Sequence, residues 1–455
     1  MSRIFMGYQD QRSKDLATKP VGRLLLQFAT PSLIAMSANS IYNLCDSIFI
    51  GQGVGPLAIA GLAITFPMMS ISSAFGAMLG VGSAAQTSIA MGEKNQKRGL
   101  MILGNMLRLD ITISLCLTAI GLIFLDPILR LFGASDATLP YAREYMQIIV
   151  AGNIITHLFL GLCDQLRASG NPTRSMTAHL IAVILNIILD PLFIFVFDLG
   201  LRGAALATVI GQICGLCYAV RFFFDKENFS HFSKDALILD QKIIKDIFAI
   251  GLSPFFVNVC GCVIVVLINR ALMQQGGADG DICIGVYGIT NRLNALLVMM
   301  VSGFSQGMQP IVGFNLGAGR NDRVCGVLKF AYICATCIMT FGFILVFAIP
   351  DKLALMFTND ETMIERCVQA FRIMLAALPL VGGQIITTTF FQSIRKPKIS
   401  IFLSMTRQLI LLLPLLLILP PLLGVIGVWM AIPISEAGSA FFAMFFLWRF
   451  FHGHK

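Results

Sequence analysis

The chain has 455 residues, 56% hydrophobic and 13% charged, with a formal net charge of +9 and a mean hydropathy of +0.81. Soluble domains carry about 25% charge, so this composition excludes an ordinary soluble enzyme and points to a chain that lives in lipid. The basic excess does not mark a nucleic-acid partner, because it lies in short loops between apolar runs.

Residues 1–23 are polar and lack the apolar core of a cleavable signal, so they read as a cytoplasmic N-terminal segment. Twelve runs follow that are long enough for a helix to cross a bilayer: 24–50, 57–91, 101–125, 140–166, 176–197, 203–224, 247–275, 283–317, 325–349, 364–392, 399–420 and 424–450. Each helix needs about 20 residues, whereas a barrel strand needs about ten. The second and eighth runs exceed one perpendicular crossing, which implies tilt or extension beyond the bilayer. The polar stretch 225–246 is the longest loop and reads as a linker between residues 24–224 and 247–455.

These halves are copies. LLLQFATPSLIAMS from Leu24 is echoed by IFAIGLSPFFVNVC from Ile247, and GSAAQTSIAMGEKNQKRG from Gly82 by GMQPIVGFNLGAGRNDRV from Gly307. The offset is about 224 residues, a duplication rather than a short solenoid period. Six runs per copy give both copies the same orientation, which predicts two six-helix bundles related by a pseudo-twofold axis along the membrane normal. Basic residues gather in alternate loops, at Lys94, Lys97 and Arg98, at Arg167 and Arg174, at Arg320 and Arg323, and at Arg395, Lys396 and Lys398. The other loops are short, uncharged or acidic, so both termini are expected in the cytoplasm.

Few ionisable groups lie well inside the runs, and one in such a place is functional by default. Asp46 is late in the first run, and Asp190 is about 21 Å along the fifth, so both fall in the outer half. Asn186 is one turn from Asp190 on the same face, and Thr208 enters from the outside on the sixth run. These four oxygen-bearing side chains are expected to converge on a proton or Na⁺, a hard cation that prefers oxygen. Two carboxylates close together and out of water do not both stay charged cheaply. Asp46 falls on Asn269 of the second copy, Asp190 on Pro414 and Thr208 on Ile432, so the acids are kept in one copy. The second copy offers Arg407 and Glu436 at matching depth, either a structural ion pair or a substrate-side pair. Asp110, beside Arg108 near the inner end of the third run, is expected to pair or to reach the interface. Pro31 in the first run is either tolerated near a helix start or the site of a bend.

Cys214 with Cys217 and Cys334 with Cys337 have CxxC spacing but lie in apolar runs, where cysteine acts as a small hydrophobe. His157 and His179 are read as lying near cytoplasmic helix ends, without ligand-spaced partners. Met36, Met68, Met69, Met78, Met299, Met300 and Met308 offer an adaptable lining for apolar guests, although any membrane core contains such residues.

TPSLIAMSANSIYNLCDSIFIGQ resembles the first helix of the multidrug and toxic compound extrusion (MATE) family, with Asp46 at its characteristic acid. Asn186, Asp190 and Thr208 resemble the ion site of its DinF-like, MepA-like branch, and GFSQGMQPIVGFNLGAG from Gly303 resembles the eighth-helix signature. The resemblance runs from about residue 20 to 450. It implies an all-α, multi-pass protein of the bacterial inner membrane, acting as a monomer without a cofactor. It further implies export of organic cations and amphipathic drugs against Na⁺ or H⁺, with Asp46, Asn186, Asp190 and Thr208 coupling and Pro31 bending the first helix. Some relatives place acids in the seventh and tenth helices; here those runs offer Asn258, Asn269 and Gln384 instead. The alternative is a flippase for a lipid-linked precursor, which calls for a cationic groove. An intramembrane enzyme is disfavoured, since no HExxH or nucleophile with a base appears.

Overall fold

A computed structural model describes residues 14–358 and 360–452. Residues 1–13 of the N-terminal segment and 453–455 of the tail lie outside the described residues. Helix α1 (Val21–Gly53), α2 (Pro56–Gly92) and α3 (Gln96–Ile123) precede a short α4 (Leu125–Leu131). Then come α5 (Leu139–Ala151), α6 (Asn153–Ala168), α7 (Pro172–Pro191) with a π-helical turn at Leu192–Val196, and α8 (Gly200–Phe223). The second lobe holds α9 (Gln241–Gly276), α10 (Gly280–Gly317), α11 (Asn321–Ala348), the short α12 (Pro350–Leu355), α13 (Glu361–Met374) and α14 (Leu378–Ser393). It closes with α15 (Pro397–Met405), a π-helical stretch at Thr406–Leu412, α16 (Leu413–Leu423) and α17 (Val425–His452).

Ten described helices are long and apolar enough to cross a membrane, or up to twelve if each bent pair is one span. The bent pairs correct the expectation of single helices at 140–166 and 364–392: α5 meets α6 at 54° and α13 meets α14 at 51°. Gly152 separates the first pair, and Pro379, which has no N–H to continue a helix, stands in the first turn of α14. The first helix, by contrast, runs unbroken through Pro31. Side chains seal several helix starts: Asn95 accepts from the Arg98 amide, and Asp240 accepts from Lys242 and Ile243. Phe66, Ile123, Leu422, Phe441 and Trp448 are exposed, as lipid-facing positions require.

The duplication is visible in the backbone. Left-handed residues recur at matched places: Lys94 with Gly319, Gly170 with Arg395, Gly200 with Gly424. Packing between the lobes has the same symmetry, since α1 packs on α10, α2 on α9, and α2 on α10. These contacts are tightest toward the end that carries the basic loops. A Cβ on Gly251 would stand 1.9 Å from the Met78 carbonyl oxygen, and one on Gly82 would stand 2.3 Å from that of Ile247. On Gly317 it would meet the Ile89 oxygen at 2.1 Å, and on Gly92 the Phe314 oxygen at 2.0 Å. Glycine is therefore required at these approaches of backbone to backbone. Further along the same helix pair, Ser40 of α1 reaches the Met299 sulfur of α10 at 3.1 Å.

Candidate functional site

A cleft lies between the lobes, with a 460 Å³ part on the first lobe and a 540 Å³ part on the second. Met36, Leu160, Asp164, Arg167 and Gln306 line both. Of the methionines expected to line it, Met36 and Met299 do so, while Met176 was overlooked. Met78 and Met308 are instead buried core, Met68 and Met69 pack within the first lobe, and Met300 faces outward.

Behind the first-lobe wall of this cleft, three helices bring four polar residues together. Asp46 on α1 is 4% exposed, Asn186 and Asp190 on α7 are 2% and 0%, and Thr208 on α8 is 6%. The Asn186 amide donates to Asp190 Oδ1 at 3.2 Å and to Thr208 Oγ1 at 3.2 Å, which ties α7 to α8. Asp46 and Asp190 act on each other electrostatically. Asp190 is the last residue before Pro191 and the π-helical turn, an irregularity often found where a helix aims side chains into a site. Asp46 Oδ1, Asn186 Oδ1 and Asp190 Oδ2 are buried without a hydrogen-bond partner. Buried acceptors are rarely left that way, so these three oxygens have capacity for a hydrogen or a cation. The unpartnered acceptors are all oxygens, the atom type that hard cations and protons take.

Two tyrosines belong to the same cluster and were not picked out from the sequence. Tyr42 precedes Asp46 by one turn, and Tyr145 on α5 is 1% exposed; both phenols lie in the field of Asp46 and Asp190 and against Thr208. The i, i+4 spacing of Tyr42 and Asp46 was the available signal. Tyr145 has no such signal, because only the packing of α5 on α2 and α8 brings it to the cluster. Tyr42, Asn186 and Thr208 also line the cleft, so one wall is shared between the carboxylate cluster and the cavity. Pro31 lines the same cavity.

In the second lobe, Arg407 Nη2 meets Glu436 Oε1 at 3.2 Å. Glu436 is 5% exposed and faces a 160 Å³ cavity that Tyr287, Thr290, Asn294 and Ser435 also line. Arg407 sits in the π-helical stretch and borders both that cavity and the cleft. Asn258 and Gln384 both line the cleft, Asn258 with its amide also donating to the Pro254 carbonyl at 2.9 Å.

Arg395, in the turn between α14 and α15, is held at φ 55° with its guanidinium 3.7 Å from Glu93 of the other lobe. Burial, together with the nearby Arg98, pushes its pKa below the ordinary guanidinium value.

The MatE family model matches residues 31–192 and 249–418, skipping α8 and the polar linker. The multidrug export protein MepA of Staphylococcus aureus (strain N315) is 26% identical over 436 residues, 96% of this chain and 95% of that protein. Among solved structures, MATE in the bent conformation matches with a TM-score of 0.89 at 24% identity, covering 96% of both chains. A MOP superfamily transporter from Pyrococcus furiosus, described as having a binding pocket of reverse polarity, matches with a TM-score of 0.88 at 24% identity, covering 95% of this chain and 96% of that one. Likeness at this identity carries the fold.

Proposed function

The chain belongs to the MatE family, whose members are membrane transporters and not enzymes, and from that premise we propose that it is a multidrug efflux antiporter. It exports organic cations and amphipathic drugs in exchange for inward Na⁺ or H⁺. The observation that carries this reading is the set of unpartnered oxygens on Asp46, Asn186 and Asp190, set behind a wall shared with the drug-sized cleft.

The shared wall supplies coupling. An ion on Asp46 and Asp190 draws the Asn186 and Thr208 oxygens toward itself, and those residues also face a drug in the cleft. Drug and ion then favour different arrangements of one surface, and such a difference in affinity is what drives a conformational change. In the proposed cycle, the drug enters with the cleft open to the cytoplasm and the lobes rock about the contacts of α1 with α10 and α2 with α9. An external ion loads the cluster and the drug leaves outward. Both termini are placed in the cytoplasm, at the end with the basic loops.

A flippase for a lipid-linked precursor would need a cationic groove. Among the described residues, the Lys, Arg, Asp and Glu side chains lining the cleft are Asp164, Arg167 and Arg407, with Asp164 holding Arg167 at 2.8 Å. That balance does not favour an anionic headgroup.

The test is ethidium efflux from proteoliposomes under separately imposed Na⁺ and pH gradients. Wild type is expected to respond to one gradient, and Asp46→Asn to lose that response while remaining folded and inserted. Gradient-driven efflux at the wild-type rate in Asp46→Asn would refute the assigned site.

A further inference from the structure

A second polar network lies in the first lobe, away from the carboxylate pair. His157 is fully buried on α6, one turn past the break at Gly152 and so at the start of that helix, not near the cytoplasmic end expected from the sequence. Its Nδ1 lies 3.0 Å from Ser114 Oγ of α3, and its Nε2 lies 3.1 Å from Ser72 Oγ of α2. Each hydroxyl has a single hydrogen. Ser114 directs its hydrogen to the Asp110 carbonyl, and Ser72 directs its own to Asn153 Oδ1 at 3.0 Å. With the hydrogens placed this way both ring nitrogens donate and the imidazole carries its second proton; turning the Asn153 amide, so that its N–H donates to Ser72 Oγ, completes the same network around a neutral ring, so the site accommodates both states of His157.

A buried imidazolium needs a counter-charge, and α3 carries a carboxylate, Asp110, one turn before the Ser114 that meets the ring. Asp110 of α3 is fully buried, and neither of its side-chain oxygens has a hydrogen-bond partner. This corrects the expectation that it pairs or reaches the interface. Its Oδ2 fills the space that Gly161 of α6 leaves open, where a Cβ would come within 2.5 Å. Gly161 is one turn beyond His157 on the same helix, and Gly76 of α2 opens beside the imidazole.

The charged group facing Asp110 is Asp164 of α6, which acts on it electrostatically and is itself held by Arg167 at 2.8 Å. On α2, Ser72 and Gly76 face the His157 ring and Gly80 faces the Asp164 carboxylate. Arg98 of α3 pairs with Asp246 of α9 at the basic end (3.9 Å), and Arg143 of α5 pairs with Asp126 of α4 at the opposite end. Asp164 lines the cleft.

We propose that His157 and Asp110 form a second proton-binding site, in the half of the first lobe nearer the basic loops. One proton resides either on the Asp110 carboxyl or on the imidazole, leaving Asp110 ionised beside His157 in the second case. The site stands between the helix break at Asn153 and the cleft at Asp164. A role in discharging a proton toward the cytoplasm rests on the antiport reading; the site itself does not.

Infrared difference spectra of the purified full-length protein between pH steps test this. Wild type is expected to show a protonated-carboxyl band that Asp110→Asn removes and that Asp46→Asn and Asp190→Asn leave in place. His157→Gln should remove an imidazole band and shift that carboxyl band. Gly161→Ala, which crowds Asp110 without deleting it, should shift the band and retain it. An Asp110→Asn spectrum superimposable on wild type would overturn the proposal, as would a carboxyl band unmoved by His157→Gln. Efflux measured on the same variants separates the two readings. Loss of all gradient-driven efflux in wild type overturns antiport and leaves these bands, whereas an unchanged Asp110→Asn spectrum beside normal efflux overturns the inner site alone.

Discussion

Replacing Gly251 by alanine should wedge the lobes apart at the basic end. The new Cβ would sit 1.9 Å from the Met78 oxygen and 2.7 Å from its carbonyl carbon. Real carbon contacts need at least 3.0 Å, so α9 and α2 must separate by about 1 Å locally, because the obstacle is backbone and no rotamer relieves it. Overpacking of this kind costs about 2 kcal/mol, which is roughly a 30-fold shift away from the arrangement closed at this end. Gly261→Ala is the control, since its Cβ would meet only Gln408 Nε2 at 3.6 Å. Spin labels at Lys97 and Lys398, both exposed and on opposite lobes, report the opening by double electron–electron resonance in a cysteine-free background. Wild type and Gly261→Ala should share one short-distance population, and Gly251→Ala should populate a longer one. A distance distribution in Gly251→Ala identical to that of the control would refute the argument that glycine packing holds this end closed.

The ion pairs at the same end should matter less. Arg395 and Glu93 are 3.7 Å apart and each about a third exposed, so Glu93→Gln should shift the labelled distance by the equivalent of about 0.5 kcal/mol or less. The Arg407–Glu436 pair is more buried, and Glu436→Gln should lower the melting temperature in detergent through a loss of about 3 kcal/mol. Removing both charges with Arg407→Leu and Glu436→Leu should restore most of it; a double variant as unstable as the single would show that Arg407 does more than balance Glu436. Thr208→Val keeps the shape and removes the hydroxyl that takes the Asn186 amide. It should weaken ion-driven efflux about tenfold, equivalent to about 1.4 kcal/mol for a lost buried hydrogen bond, and unchanged ion dependence would remove Thr208 from the cluster.

Much of the carboxylate cluster could be read from the chain because its members obey helical spacing. Asn186 and Asp190 are four apart, and burying either in lipid without purpose is too costly to go unnoticed. Asp110 shows where that reasoning ends. Its place toward the inner end of the apolar run 101–125 allowed an interfacial position, but Asp110 lies midway along α3, where the approach of α6 at Gly161 encloses it. The methionines show the same limit, since composition gives an adaptable apolar set but does not separate Met36 and Met299 in the cleft from Met78 and Met308 in the core. The breaks at Gly152 and near Pro379 were missed because apolar content continues across them.

What the sequence alone determined is what local transfer energies control: a membrane-embedded helical chain, its internal duplication, the basic loops, and the acids confined to one copy. The cost of placing a backbone or a charge in lipid is set residue by residue, so it is written in the order of the residues. The tertiary structure decided which faces meet. It brought Tyr42 and Tyr145 to the carboxylates and made Asn186 and Thr208 part of the cleft wall. It set four glycines against carbonyls of neighbouring helices and surrounded His157 with two hydroxyls. Each of these depends on crossing positions between helices distant in the chain, which close packing fixes only when all the helices are present together.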